Sequence, residues 1–427
     1  MTETSPLRHV HLGIGNFARA HTLVHTADAG TWRVAAFTGR SPAMAETLAA
    51  QDGRYGLIVR GAEGDDVRLI DVIDEVHPGS DTDTLDRLIA DPATRVVTLT
   101  ITEKGYAAGN DPATSTPARL AQALQARRGA QVTEPIALVS CDNLTGNGEV
   151  LREALLSAVD ALAPDEEEAG ALREWCAEHV DIVSSMVDRI TPAAAERDRE
   201  VVREAIGMDD AAPVVTEPFH EWVLEDRFRG ERPAWERAGA RFTDDVARHE
   251  KRKLRLLNGA HTLLAYAGQN AGHERVDQAI GDPELRTMVL SLWAEARRTL
   301  DLPEDELEQY TQALLERFEN PRLADALRRI AADGSAKLPV RVLRVIAELG
   351  GPHAAPGETA AVAAWARRMI DQVEGGIEVL DPRAEQIAAA VGRGERSEQV
   401  RALVDLLESA QVGVDAADLA DEVLALL

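Results

Sequence analysis

The sequence predicts an α/β protein with a mostly parallel sheet in its first part and a mainly α-helical second part. Three observations carry this. Short apolar runs alternate with helical stretches through the first half: His9 to Leu12, Arg33 to Phe37, Val67 to Ile73, Arg95 to Ile101, Pro135 to Ser140 and Val180 to Met186. That alternation is the signature of a sheet covered by crossover helices. A glycine-containing turn follows the first run directly. From about Thr243 the strand-like runs fade, and Ala- and Leu-rich helical patterns continue to Leu427. A chain of 427 residues is long for one core and suits two domains. We place them at 1–243 and 244–427, with Gly350 to Gly357 as a loop inside the second.

Composition narrows the function classes. Hydrophobic residues make up 45 % and charged residues 28 %, both globular values, and no apolar stretch approaches the roughly 20 residues of a membrane span. Met1 to Arg8 shows no basic, apolar secretory signal, so a cytoplasmic protein is expected. The net charge of −27 and aromatic content of 4 % argue against nucleic-acid binding. A small-molecule substrate is expected instead, and an anionic one would need a locally basic pocket. Cys141 and Cys176 allow at most one disulfide and read as buried thiols.

The turn is Gly13-Ile14-Gly15-Asn16-Phe17-Ala18, a G-x-G-x-x-A pattern opening a helix. Its first glycine permits a tight turn, the second lets backbone N–H groups approach a pyrophosphate, and Ala18 allows close packing on the strand. The second run ends Thr38-Gly39-Arg40-Ser41, without the acid that usually binds a ribose 2′-hydroxyl. Arg40 suits the 2′-phosphate of NADP, or lies over the adenine of NAD. With Glu103 at the end of the fourth run, the candidate cofactor contacts are Gly13, Gly15, Asn16, Phe17, Arg40 and Glu103.

Ligands of open α/β sheets bind beyond the carboxyl ends of the strands. Three runs end in polar residues: Thr102 to Tyr106, Cys141 to Leu144, and Asp188 to Pro192. Together they suggest a polar crevice.

Near the change of pattern, a helical stretch sets Glu250, Lys253, Asn258 and His261 within an arc of roughly 140° at 100° per residue. Oxidation of an alcohol by hydride transfer leaves a proton for a base whose pKa lies near the working pH. Lysine begins near 10.4 and is lowered by burial. Asn258 and His261 are suited to donate hydrogen bonds to the developing alkoxide, and Glu250 to pass the proton to water. Gly272-His273-Glu274 superficially suggests zinc, but the Cys ligands that would accompany it are missing, so no metal is expected.

These segments resemble the mannitol dehydrogenase family, the polyol-specific long-chain dehydrogenases and reductases, which includes mannitol 2-dehydrogenases and fructuronate reductases. The marks, within about residues 8 to 345, are HLGIGNFARAH, TITEKGY, SCDNLTGNGE, MVDRITP, TEPFHEWVLED and Lys253-x4-Asn258-x2-His261. The resemblance implies a metal-independent enzyme with a Rossmann-type N-terminal domain, a helical C-terminal domain and the substrate between them. It makes Lys253 the general acid/base, with Asn258 and His261 on the reacting oxygen. Asn143, Asp188, Arg329 and Lys337 then match substrate-binding positions, the two cations supplying the basic pocket. Thr38-Gly39-Arg40-Ser41-Pro42 resembles a stretch of hexuronate reductases that use NAD, so NAD is preferred with NADP as the alternative. The implied substrate is a D-mannitol-like polyol or a sugar acid such as mannonate, and the implied state a monomer or small homo-oligomer. A nucleotide or sugar sensor is the rival of another class, although a sensor has no use for a positioned base.

Overall fold

The computed structural model describes residues 7–39, 41–106, 115–392 and 394–427. The chain divides into two compact units, Met1–His249 and Glu250–Leu427.

Among its described residues the first unit holds twelve strands: β1 (Arg8–Leu12), β2 (Arg33–Phe37), β3 (Tyr55–Arg60), β4 (Asp65–Ile70), β5 (Ile73–His77), β6 (Thr94–Leu99), β7 (Ile136–Ser140), β8 (Val180–Val183), β9 (Ser185–Asp188), β10 (Val214–Thr216), β11 (Glu221–Glu225) and β12 (Arg241–Thr243). Six form one sheet in the order β5-β2-β1-β6-β7-β8, and every pairing in it is parallel. The first strand is central, and the chain winds outward from it in both directions. The order reverses between β1 and β6, which opens a crevice beyond their carboxyl ends.

Because side chains alternate along a strand, each strand feeds two cores. Val10, Leu12, Ala35, Phe37, Val97 and Leu99 pack under Leu85, Leu120, Leu124, Leu151 and Leu155. On the opposite face, Val34 and Ala36 meet Leu23 and Leu48, while Val96 and Val139 meet Trp222 and Trp235. His9, His11 and Thr98 alternate onto this second face and are fully buried. Two further sheets, β10-β3-β4 and β12-β11-β9, complete the unit.

Two expected runs straddle elements that local pattern alone does not separate. Val67 to Ile73 joins the end of β4, in a side sheet, to the start of β5, in the main one. Val180 to Met186 divides into β8 of the main sheet and β9, which pairs antiparallel with β11. Both are continuous apolar runs, and the change of sheet is set by tertiary pairing.

The second unit is helical, with no strand among its described residues. Its central helix, Gly259–Asn270, is buried from Thr262 to Gly268 and packs against the helices Pro283–Arg297 and Pro356–Glu374. The final stretch, for which the sequence suggests no chemistry, supplies Ala384–Val391, Arg396–Asp405 and Ala416–Ala425. Among the described residues no helix is long and apolar enough to cross a membrane. Cys141 and Cys176 are buried free thiols.

One buried group in this unit is expected to affect stability. Glu358 is 0 % exposed, and neither carboxylate oxygen has a hydrogen-bond partner among the described residues. Burial, and then the charge of Glu295, push its pKa well above the usual carboxylate value, against a smaller opposing effect of Arg255. A carboxyl raised in the folded state is penalised once the unfolded chain ionises, so its contribution worsens as pH rises from about 4.5 toward the folded value. Glu358→Gln removes the ionisation. The expected result is a Tm gain of a few degrees, roughly 2–4 °C per kcal/mol recovered, at pH 8 and almost none at pH 4. Calorimetry at the two pH values checks it, and an equal shift at both would refute the account.

Candidate functional site

The first unit builds a cavity of about 390 Å³ where β1, β2 and β6 end, lined among others by Gly13, Thr38, Gly39, Thr100, Lys104 and Arg119. Gly13 turns the chain sharply, at φ +94°, and a Cβ there would lie 2.3 Å from the Thr100 carbonyl oxygen. Its N–H and that of Ile14 both donate to the Phe37 carbonyl, at 2.9 Å. The Thr100 hydroxyl donates to the Gly13 carbonyl at 2.8 Å. Gly15 then stands extended before the short helix Asn16–Ala20, and a Cβ on it would meet nothing closer than 3.8 Å. Ala18 is fully buried, as close packing of this helix requires.

The other expected cofactor residues have mixed fates. The Asn16 side chain accepts from Arg19 at 2.8 Å, and the Phe17 ring stacks on His21 at 5.1 Å. Both side chains are therefore engaged locally, which leaves backbone N–H groups as what these positions offer a phosphate. Glu103 is exposed in the short helix Glu103–Tyr106 and is not among the residues lining the cavity. Arg40 lies outside the described residues. The Thr38 hydroxyl, at the end of β2, accepts from the Gly79 N–H at 3.0 Å.

Asp142 shapes the cavity wall. Its carboxylate, 6 % exposed, accepts from the N–H groups of Ile101 (3.2 Å) and Thr102 (2.7 Å) and from the Tyr106 hydroxyl (2.7 Å). This brace holds Thr102 at φ +64°. Burial raises the Asp142 pKa, and these three donors oppose the rise. Asn147 ties the same loop to β9, donating to the Asp142 carbonyl (2.9 Å) and the Ser185 carbonyl (2.7 Å), and accepting from the Ser185 N–H (3.1 Å). Asn143, exposed after β7, and Asp188, buried at the end of β9, thus sit on segments clamped together. Asp142 lies in the polar run Cys141 to Leu144 noted in the sequence, though with no role given to it; Asn147, Thr100 and Arg119 were not singled out. For Asn147 the signal lay in the continuation of that polar run to Glu149.

In the second unit the lysine helix is not a regular α-helix. Leu254–Asn258 form a π-turn between the helices ending at Lys253 and beginning at Gly259. Such a turn inserts one residue, removing about 100° of rotation between Lys253 and Asn258. The arc that spans roughly 140° in a regular helix closes to roughly 80°. The uniform helix expected from the sequence is corrected on this point, in the direction that brings Glu250, Lys253, Asn258 and His261 closer to one line. Outside groups hold the widened turn. The Trp293 indole donates to the Leu256 carbonyl at 2.8 Å, and Arg255 grips Glu348 with both terminal nitrogens, Nη1 at 2.8 Å. On the other side Arg252 pairs with Glu306 at 2.8 Å and lies 4.0 Å over the Tyr310 ring. The His261 ring packs on Phe318 at 4.7 Å.

Arg329 is largely exposed and pairs with Asp325. The Lys337 ammonium donates to the carbonyls of Ala332 (2.5 Å) and Ile330 (3.3 Å), and burial lowers its pKa. His273, of the zinc-like tripeptide, is 3.3 Å from Asp282. Among the described residues no group of three His, Cys, Asp or Glu is placed to hold a metal ion.

Comparison with known proteins points to one family. Residues 7–237 match the model of the mannitol dehydrogenase Rossmann domain, and residues 245–424 that of the mannitol dehydrogenase C-terminal domain. The chain is 34 % identical to a mannitol 2-dehydrogenase of Pyrenophora tritici-repentis, over 90 % of this chain and 73 % of that protein. It is 33 % identical to the D-mannonate oxidoreductase of Escherichia coli, over 93 % and 88 %. Among solved structures, the mannitol 2-dehydrogenase of Pseudomonas fluorescens in ternary complex with NAD and D-mannitol matches with a TM-score of 0.79 at 31 % identity, over 99 % of this chain and 90 % of that one.

Proposed function

The chain belongs to the mannitol dehydrogenase family, and on that premise we propose that it reversibly oxidises a D-mannitol-like polyol to its 2-ketose with NAD, using Lys253 as the base. The observation that carries the reading is the π-turn at Leu254–Asn258, whose ideal rotation would bring Lys253, Asn258 and His261 toward one strip. Such a strip has no purpose in a sensor and an evident one in proton transfer.

The residues present fit a dinucleotide. At Gly13 the backbone is packed so closely on Thr100 that only glycine is accommodated, and the cavity beyond it lies at the sheet's switch point. When bound, NAD supplies the hydride acceptor. Lys253 takes the proton of the reacting hydroxyl, Asn258 and His261 donate hydrogen bonds to the oxygen as negative charge grows on it, and Glu250 relays the proton from Lys253 to water. Asn143, Asp188, Arg329 and Lys337 orient the remaining hydroxyls.

Two features support a neutral polyol over a keto-uronate. Arg329 is already paired with Asp325, and the Lys337 ammonium is held by two carbonyls. A substrate carboxylate would have to compete for each. The test is NADH formation, followed by absorbance with EDTA present, from mannitol, arabinitol, mannonate and mannitol 1-phosphate, with NADP run in parallel. Turnover of a neutral polyol is expected. Turnover of mannonate alone would replace the polyol reading with the sugar-acid one, and silence across the panel despite NAD binding would remove both.

A further inference from the structure

A line of buried polar side chains runs from the far side of the parallel sheet to the phosphate-binding turn. The Trp235 indole Nε1 lies 3.0 Å from the Thr26 hydroxyl, which is 3.2 Å from His9 Nδ1. His9 Nε2 is 2.6 Å from the Thr98 hydroxyl, itself 2.7 Å from His11 Nδ1. His11 Nε2 is 3.1 Å from the Thr100 hydroxyl, which is 2.8 Å from the Gly13 carbonyl oxygen. Trp235, Thr26, His9, Thr98 and His11 are each 0 % exposed. Thr100 alone reaches the cavity.

Counted over these six contacts with neutral rings, the proton inventory has one solution. An indole only donates, a carbonyl only accepts, and each hydroxyl owns one proton. If Thr100 donates to Gly13, it can only accept from His11, so His11 carries its proton on Nε2. Burial favours neutral rings: it drives the His11 pKa down to about 3, against a hydrogen bond to the Gly13 backbone that opposes the fall, and His9 well below its usual value. A neutral His11 then accepts at Nδ1 from Thr98. Thr98 in turn accepts from His9 Nε2, and His9 Nδ1 accepts from Thr26. With both imidazoles neutral, all six contacts are satisfied only by Nε2–H tautomers with every donor pointing toward the turn, a direction that forgoes only the contact of Thr26 with the Thr22 carbonyl at 3.0 Å. The opposite direction makes that contact and instead forgoes one beside the turn, since Thr100 then has one proton for two acceptors.

We infer that the chain from Trp235 through His9, Thr98 and His11 to Thr100 is a one-directional hydrogen-bond relay that fixes the Gly13 peptide, making His11 and Thr98 positioning residues for the dinucleotide. Hydrogen bonds aligned head to tail polarise one another, so the last of them, on the Gly13 carbonyl, is stronger than an isolated hydroxyl contact. The turn is thereby held from beneath, and of these side chains only that of Thr100 lines the cavity. The link to the dinucleotide rests on the functional reading above, while the relay itself does not.

Two measurements separate them. Nitrogen-15 spectra of the histidine-labelled protein distinguish protonated from unprotonated ring nitrogens; Nε2–H and bare Nδ1 are expected for His9 and His11, and Nδ1–H on either ring overturns the relay. In steady-state kinetics, Thr98→Val is expected to raise KM for NAD about tenfold, the size of one coupled buried hydrogen bond, with kcat for the polyol little changed. Thr98→Ser should restore it. A fall in kcat at constant KM, or no rescue by serine, overturns the positioning role. If the unaltered chain bound no NAD by calorimetry, the functional reading and the cofactor link would fall together, and the tautomer spectra would still decide whether the relay exists.

Discussion

Lys253→Ala should lower kcat for the polyol by about 10²–10⁴-fold, the usual contribution of a positioned acid or base, while NAD binding stays within about twofold of the unaltered protein. The asymmetry follows from where the groups stand. Lys253 belongs to the helical unit, whereas the dinucleotide features, Gly13, Gly15 and the cavity of about 390 Å³, are built wholly from the first unit. Lys253→Arg sharpens the test. An arginine keeps the positive charge but cannot shed its proton at working pH, so it should be as inactive as alanine if Lys253 transfers a proton. Activity retained by Lys253→Arg would assign the lysine an electrostatic role, and activity retained by Lys253→Ala would end the lysine mechanism altogether. Single-turnover absorbance with saturating NAD, alongside calorimetric titration of the cofactor, gives both readings on one preparation.

The fold was legible where sequence pattern and tertiary environment agree. β1, β2, β6 and β7 are short apolar runs buried on both sides, and their limits follow the runs closely. The pattern failed where an apolar run changes sheet. Val67 to Ile73 and Val180 to Met186 look continuous because both halves are buried, and only pairing partners reveal the breaks at β4/β5 and β8/β9. Among site residues, Gly13 was legible because a positive φ leaves a compositional mark. The π-turn left no such mark, since Leu254 to Asn258 has ordinary helix-compatible side chains, and its cause lies in distant partners, Trp293 and Glu348. Asp142 and the histidine-threonine line escaped for the same reason. Their partners are far apart in sequence: Asp142 with Thr102, His9 and His11 with Thr98, and Trp235 with Thr26.

The two glycines of the turn should separate stability from affinity. In Gly13→Ala the new Cβ would lie 2.3 Å from the Thr100 carbonyl oxygen and 2.9 Å from its carbon. Neither is the flexible end of a side chain, and Thr100 is itself fixed, its N–H donating to the Leu12 carbonyl at 3.0 Å. The turn must therefore move, and a residue with a Cβ would also have to hold φ +94°. The expected cost is about 2–3 kcal/mol, or a Tm lowered by roughly 4–12 °C. A displaced turn should also weaken NAD binding by about 10- to 100-fold, the size of a lost hydrogen bond to a charged group. Gly15→Ala differs on both counts. Its φ of −122° is open to alanine, and its Cβ would meet the Gly13 carbonyl only at 3.8 Å. Its Tm should stay within about a degree, while the added methyl keeps the backbone from the pyrophosphate and NAD affinity falls. Thermal scans and NAD titrations of the two variants test this. Equal losses of Tm would show that the second glycine is structural too, and unchanged affinity in Gly15→Ala would mean that the pyrophosphate does not lie against this turn.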